Sequence, residues 1–119
     1  MATELPTRDS LPESATWDLS KIYATDAAWD AEYAALESNL AQADKYAADL
    51  TTSGANLYAG LTYGLEVMRT LEKLYVYASM KSDQDTTNSK YLGLDSRAQA
   101  LAARVSAAIS FFDPTVLAL

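Results

Sequence analysis

With 119 residues, half of them hydrophobic, the chain has the size and composition of one packed domain. It contains no cysteine and no histidine, which excludes disulfides, thiolate or imidazole metal sites, cysteine nucleophiles and serine triads with an imidazole base. Its net charge of -7, its pI near 4.3 and the lack of any run approaching roughly 20 apolar residues argue against nucleic-acid and membrane partners, so the sequence predicts a soluble, cytoplasmic protein.

Residues 1–24 have the pattern of an N-terminal arm. Pro6 and Pro12 lie among charged and small residues, so we expect no regular structure over the first fifteen positions. The segment 16–23 starts with a cap-forming threonine and is expected to make a single helical turn that anchors the arm. Trp17 is interpreted as a packing anchor in that turn, because buried aromatic side chains usually serve packing.

The first long helix is predicted from residue 25 to about residue 50. Thr25 is a good N-cap, and Asp26 places negative charge near the positive end of the helix dipole. The turn at 51–54 combines cap residues with a glycine and is expected to reverse the chain. The apolar positions of the helix alternate spacings of four and three along one stripe: Trp29, Tyr33, Leu36, Leu40, Ala43, Ala47 and Leu50.

A second helix is predicted over about 55–82. Its apolar positions repeat the same spacing: Leu57, Leu61, Gly64, Met68, Leu71, Tyr75 and Ala78. Its polar face ends near Val76, so we expect the stretch 71–86 to be a helix buried on every side until it stops in an acidic turn. Gly60 and Gly64 each cost a helix on the order of 1 kcal/mol relative to alanine, which predicts a close helix approach at these positions.

The two aspartates after the second helix, Asp83 and Asp85, raise the question of a calcium loop. An EF-hand loop starting at Asp83 would need glycine and glutamate where Asn88 and Leu94 stand. Solvation and helix capping account better for this turn. A metal site formed by carboxylates, or a small-molecule site, among Asp83, Asp85 and Asp95 is kept as a weaker hypothesis.

A third helix follows, with Thr86 or Thr87 as its predicted cap and the pair Asp113 and Pro114 as its predicted end. Residues 114–119 resemble the opening of a further helix, because proline is favoured at a first helical position. An apolar end without a cap leads us to expect a domain cut from a longer protein. The apolar stripe of the third helix comprises Tyr91, Leu94, Ala98, Leu101, Val105, Ala108 and Phe112.

These elements predict an all-α fold, an antiparallel helical hairpin or three-helix bundle with an extended N-terminal arm. The predicted organisation is an arm with a short helical anchor at 1–24, a helical domain at 25–113 and the truncated start of the next helix at 114–119. The whole is expected to be a fragment of a larger helical enzyme.

Several short motifs stand in a fixed order along nearly the whole chain. They are Leu-Pro-Thr-Arg at 5–8, Thr-Trp-Asp-Leu at 16–19, Ile-Tyr at 22–23, Trp29, Leu-Glu-Lys-Leu-Tyr-Val-Tyr-Ala at 71–78, Asp-Thr at 85–86, Asn-Ser at 88–89, Phe-Phe at 111–112, Pro114 and Leu117. This order resembles the N-terminal domain of oligoendopeptidase F, a family of M3 zinc metallopeptidases. The segment 71–78 with the following Asp-Thr is its most specific part. Thr115 departs from the glutamate that the family favours, which bears on the capping of the next helix.

The resemblance implies that the full-length protein is a cytoplasmic zinc metalloendopeptidase that hydrolyses short peptides. The family holds its zinc in a helix with an H-E-x-x-H motif, and a chain without histidine cannot supply it. No catalytic, cofactor-binding or metal residue is therefore assigned to any position, and this segment alone is expected to be inactive. Its implied role is a scaffold that packs against the catalytic domain of the same polypeptide and helps to wall a channel for oligopeptide substrates.

An alternative from another class is a freestanding helical protein-interaction module, which the heptad-like spacing of the three helices also suits. In either case part of the aromatic surface at 71–86, with the acidic turn, is expected to face protein absent from this segment or a second copy. Self-association of the isolated segment is expected for the same reason.

Overall fold

The computed structural model describes residues 4–119, and every regular element in that range is helical. The part of the predicted arm at residues 1–3 lies outside the described residues. The predicted all-α class is confirmed. The α-helices of the described range are α1 (Asp26–Asn39), α2 (Ala43–Asp49), α3 (Gly54–Gln84), α4 (Ser89–Ala108) and α5 (Phe112–Leu117).

Helix α3 is the centre of the bundle. It packs against α4, its neighbour in sequence, and against α1, which runs antiparallel to it. The ion pairs between α1 and α4 advance in the same direction along both helices, so these two helices are parallel. The side chains between the three long helices are almost fully buried: Trp29, Leu36, Val67, Leu74, Tyr77, Leu94, Ala98, Leu101 and Val105. Removing each large apolar side chain from water contributes on the order of 1.5 to 3 kcal/mol to folding.

Three N-cap side chains fix where the long helices begin. Thr25 Oγ1 accepts a hydrogen bond from the backbone N–H of the third residue on at 3.1 Å, and Ser53 Oγ does the same at the start of α3 at 3.0 Å. The cap of α4 is Asn88, whose Oδ1 accepts from the N–H of Lys90 at 3.0 Å. The predicted Thr86 or Thr87 cap is wrong, because the first N–H groups of α4 donate to Asn88, while the Thr87 hydroxyl donates to Asp85 Oδ1 within the turn.

The predicted first helix is interrupted. A 3-10 turn, Leu40–Gln42, separates α1 from α2. Leu40, the first residue of the turn, and Ala43, the residue after it, are both buried. Residues three apart lie on one face of a 3-10 helix and of an α-helix alike, so the turn keeps both side chains on the core side without breaking the apolar stripe.

The arm is anchored by different residues from the one predicted. Its 3-10 turn Leu19–Lys21 buries Leu19 and leads to Tyr23, whose ring meets the Tyr77 ring edge-on with centroids 5.3 Å apart. Trp17 is 80% exposed, so its interpretation as a packing anchor is wrong. The turn is capped by Asp18 and not by the preceding threonine, which leaves Trp17 one residue outside the turn that packs.

The rest of the arm is more regular than predicted, although it lies on the surface. It contains the 3-10 turns Arg8–Ser10 and Glu13–Ala15, where no regular structure was expected. Neither turn buries a residue. In each, a hydroxyl and a backbone N–H at its end donate to main-chain carbonyls three residues back, so local hydrogen bonds account for the turns without any core contact.

The prediction that α3 is buried on every side near its C-terminal end is wrong. Leu74 and Ala78 are fully buried there, but Tyr75 is 41% exposed and Val76 is 37% exposed. Two neighbouring helices cover only the side of α3 that faces them. The far side keeps apolar residues without a neighbour among residues 4–119.

The two glycines of α3 differ in their surroundings. A Cβ added at Gly60 would overlap the side chain of Leu50, while one added at Gly64 would meet nothing within 4 Å. The predicted close approach therefore exists at Gly60, where the segment after α2 folds back, and not at Gly64.

The third helix ends earlier than predicted. Helix α4 stops at Ala108, a turn follows, and α5 begins at Phe112. Pro114 is the third residue of α5 and does not terminate a helix. A proline in the first turn lacks only an N–H that would have no intrahelical partner, so α5 tolerates it.

Candidate functional site

The most strongly perturbed carboxylate of the described residues lies where three helices meet. Asp26, at the start of α1, accepts a hydrogen bond from the Tyr77 hydroxyl of α3 at 2.6 Å. Two groups of α4 also donate to it: the Lys90 Nζ at 2.7 Å and the Tyr91 hydroxyl at 2.9 Å. The Asn88 cap sets the first turn of α4, and with it the positions of Lys90 and Tyr91.

These contacts decide the protonation of Asp26. Burial raises its pKa, but the hydrogen bonds from Lys90, Tyr77 and Tyr91 outweigh burial and lower the pKa to about 2. Burial and the bond to the carboxylate both raise the pKa of the Tyr77 hydroxyl. An anionic carboxylate with three donors is held by its neighbours and is not free to accept a proton from a substrate. These hydrogen bonds connect α1, α3 and α4, and we call the cluster of Asp26, Tyr77, Lys90 and Tyr91 the Asp26 joint.

Further ion pairs link α1 to α4. Arg97 Nη1 lies 3.0 Å from Asp30, and Arg104 Nη1 lies 2.6 Å from Glu37. The Arg97 guanidinium also lies over the Tyr33 ring, 4.4 Å from its centroid. The residues of both pairs are about half exposed, so each pair contributes little on its own, but together they fix the register of α1 on α4.

The structure does not form the metal site that was considered among Asp83, Asp85 and Asp95. Asp85 Oδ1 accepts from the N–H of Thr87 at 3.0 Å and serves the turn, while Asp95 accepts from Gln99 at 2.8 Å within α4. Across residues 4–119, no group of three or more acidic, histidine or cysteine side chains is placed to hold a metal ion.

An apolar groove runs between α3 and α4, on the side away from α1. Two adjoining cavities of about 440 Å³ and 430 Å³ share Leu65 and Met68 as lining residues. We call it the α3–α4 groove. Its apolar lining includes Leu61, Leu65, Met68 and Tyr75 from α3, Ala102 from α4, Ile109 from the following turn and Phe112 from α5. The charged residues at its edge are Arg69, Glu72 and Asp113.

The apolar surface continues along the third predicted helix. The segment Ser89–Leu117 is long and apolar enough to cross a membrane by length and composition, with a mean hydropathy of 1.3 in its best window and 11% of that window buried. This differs from the expectation that no stretch would reach that level. In the structure Leu94, Ala98, Leu101 and Val105 of α4 lie in the core shared with α3, and Ala102, Ile109 and Phe112 line the groove.

Sequence reasoning missed both features, for different reasons. Asp26 was interpreted only through the helix dipole, since its partners are 51 to 65 residues away and no local spacing joins them. The groove residues lay within the apolar stripes, but those stripes do not reveal which side of a helix lacks a neighbour.

Within residues 4–119, the fold and the site together define a helical bundle with a cluster of fixed polar contacts, an uncovered apolar groove and no group of three or more metal-ligating side chains. No protein-family model matches the chain. Similar proteins nevertheless cover almost all of it.

Oligopeptidase PepF of Bacillus subtilis is 38% identical over 118 residues, which is 99% of this chain and 18% of that protein. Group B oligopeptidase PepB of Streptococcus agalactiae is 39% identical over 94% of this chain and 19% of its own length. The crystal structure of oligoendopeptidase-F from Enterococcus faecium matches with a TM-score of 0.76 and 37% identity over 80% of this chain and 19% of that one. The resemblance to oligoendopeptidase F is confirmed, and the chain spans about a fifth of the length of the relatives it matches.

Proposed function

We propose that this chain is the N-terminal helical scaffold of a zinc-dependent oligoendopeptidase that hydrolyses short peptides in the cytoplasm. The observation that carries the proposal is the match itself, 38% identity over 99% of the chain but only 18% of the oligopeptidase it matches. Almost every residue of this chain aligns with a residue of that oligopeptidase, whereas most of the oligopeptidase aligns with no residue of this chain.

The residues present do not fit a zinc site. The chain has no histidine or cysteine, and residues 4–119 contain no cluster of three or more acidic side chains placed for a metal. The proposal therefore places zinc and the hydrolytic step outside this segment. What the segment supplies is a rigid bundle, held by the Asp26 joint, which in the proposal packs against the catalytic part and helps to bound the peptide channel.

The test compares two samples: the polypeptide encoded by the complete reading frame, and the 119-residue chain. Each is incubated with an internally quenched fluorescent peptide of about eight residues, with zinc and with a metal chelator. We expect chelator-sensitive cleavage from the complete polypeptide and none from the 119-residue chain. Cleavage by the 119-residue chain, or none by a folded, zinc-loaded complete polypeptide, would refute the proposal.

The α3–α4 groove favours a second candidate, a freestanding helical module that binds a partner helix. The reading frame separates the two candidates. A frame that ends after these 119 residues favours the module, and a frame about five times as long that encodes H-E-x-x-H favours the peptidase.

A further inference from the structure

The α3–α4 groove is the side of the bundle that the described residues leave open. Helix α1 and the arm turn at Leu19 both pack on the other side of α3. Within the groove, Leu65 is 62% exposed, Met68 is 46% exposed and Leu61 is 42% exposed. Adjoining exposed apolar side chains of this size mark an interaction surface, because solvent-facing surfaces rarely carry them together.

The spacing of the exposed residues indicates the shape of what covers them. Leu61, Leu65, Met68 and Tyr75 follow one another at intervals of four, three and seven residues, so they form a straight stripe along α3. The stripe is about 20 Å long at 1.5 Å per residue. A second helix of about 14 residues that lies along it would complete a four-helix arrangement with α1, α3 and α4.

The charges favour a partner with basic residues over a second copy. The groove edge has the carboxylates of Glu72 and Asp113 against the single guanidinium of Arg69, and the chain as a whole carries -7. Two such chains repel each other, whereas lysine or arginine beside an apolar stripe would meet Glu72 and Asp113.

We propose that an amphipathic helix from another part of the same polypeptide occupies the α3–α4 groove, with its apolar stripe on Met68 and basic residues beside Glu72. This inference rests on the proposed function, in which the chain is about a fifth of an oligoendopeptidase. Beyond the proposed function, the inference identifies the α3–α4 groove as the covered face and a basic amphipathic helix as the element that covers it. The other occupants of an apolar face, a second copy or a membrane, are separated by the experiment.

The experiment uses thiol labelling, since the chain has no cysteine of its own. Met68→Cys places a thiol in the groove, and Thr62→Cys places one on the exposed polar face of the same helix as a matched control. Labelling by a water-soluble maleimide is followed at each position by mass spectrometry, in the 119-residue chain and in the polypeptide from the complete reading frame.

We expect position 68 to label at least about tenfold more slowly in the complete polypeptide than in the 119-residue chain, at any protein concentration, while position 62 labels alike in both. Glu72→Lys in the complete polypeptide should speed labelling at position 68, and Arg69→Gln should not. Equal labelling of position 68 in both proteins overturns the proposal, and so does a reading frame that ends with this segment. An unchanged rate in the Glu72→Lys variant overturns the basic character of the helix.

Two patterns of protection identify other occupants and also overturn the proposal. Protection that grows with protein concentration identifies a second copy, and protection that requires vesicles of anionic phospholipid identifies a membrane. Peptide cleavage is measured on the same samples. If the complete polypeptide cleaves peptide but position 68 still labels rapidly, the proposed function stands and the groove assignment is refuted. If position 68 is protected but no peptide is cleaved, the groove assignment stands and the proposed function is refuted.

Discussion

Replacing Asp26 by asparagine tests the joint between the three long helices. Asparagine is nearly the same size, but it removes the negative charge that accepts from Tyr77 at 2.6 Å, Lys90 at 2.7 Å and Tyr91 at 2.9 Å. Three charge-assisted hydrogen bonds become neutral ones at best, and the ammonium group loses its counter-ion. The variant should fold, because the apolar core beneath the joint is unchanged.

The size of the effect follows from the pKa of Asp26, lowered from 3.8 to about 2. A shift of that size corresponds to roughly 2.5 kcal/mol at neutral pH. Lys90 is 61% exposed, so solvent screening reduces its share, and we expect the free energy of unfolding to fall by about 1 to 2 kcal/mol. Because the pKa is lower in the folded state, this stability is present above pH 3.8 and is lost as the pH falls toward 2.

The assay is urea unfolding followed by circular dichroism at pH 7 and at pH 2. Asp26→Asn should be less stable than wild type at pH 7, and the difference should shrink at pH 2. Asp30→Asn is the matched control, because its carboxylate is 55% exposed and its ion-pair partner among residues 4–119 is Arg97 alone. This variant should cost under about 0.5 kcal/mol. A stability difference that is the same at both pH values, or an equal loss in the control, would refute the reasoning.

Four further substitutions test the packing, each by its shift in thermal midpoint. Trp29→Phe removes a fully buried indole whose N–H donates to a main-chain carbonyl of α3 at 2.8 Å, and should cost about 2 to 3 kcal/mol; a loss below about 1 would contradict its core position. Gly64→Ala should stabilise by up to about 1 kcal/mol through helix propensity, whereas Gly60→Ala should destabilise because its Cβ meets Leu50; equal effects would deny the close approach. Trp17→Ala should change stability by less than about 0.5 kcal/mol, because its side chain is 80% exposed.

The sequence predicted the helices well because their signals are local. Alternating spacings of three and four place apolar side chains on one stripe, and Thr25 and Ser53 mark helix starts within a few residues of their partners. The break at Leu40–Gln42 was not predictable in the same way. An α-helix and a 3-10 turn both place Leu40 and Ala43 on one face, so the apolar spacing does not distinguish them.

Long-range partners account for the other differences between prediction and structure. Trp17 and Tyr23 are both aromatic residues of the arm, and nothing local separates the exposed one from the buried one. Tyr23 is buried because its ring meets Tyr77, which lies 54 positions further along the chain. The role of Asp26 depends in the same way on residues of two distant helices.

The central helix shows why an apolar pattern underdetermines burial. The loss of a polar face near Val76 predicts a helix covered on every side, yet within residues 4–119 only two other long helices pack on α3, and both lie on the Leu74 side. Residues such as Tyr75 and Met68 therefore remain apolar without being covered here. The apolar residues that predict a fully buried α3 therefore leave one of its faces exposed in the described residues. A helix docked in the α3–α4 groove would cover that face and bury α3 on every side.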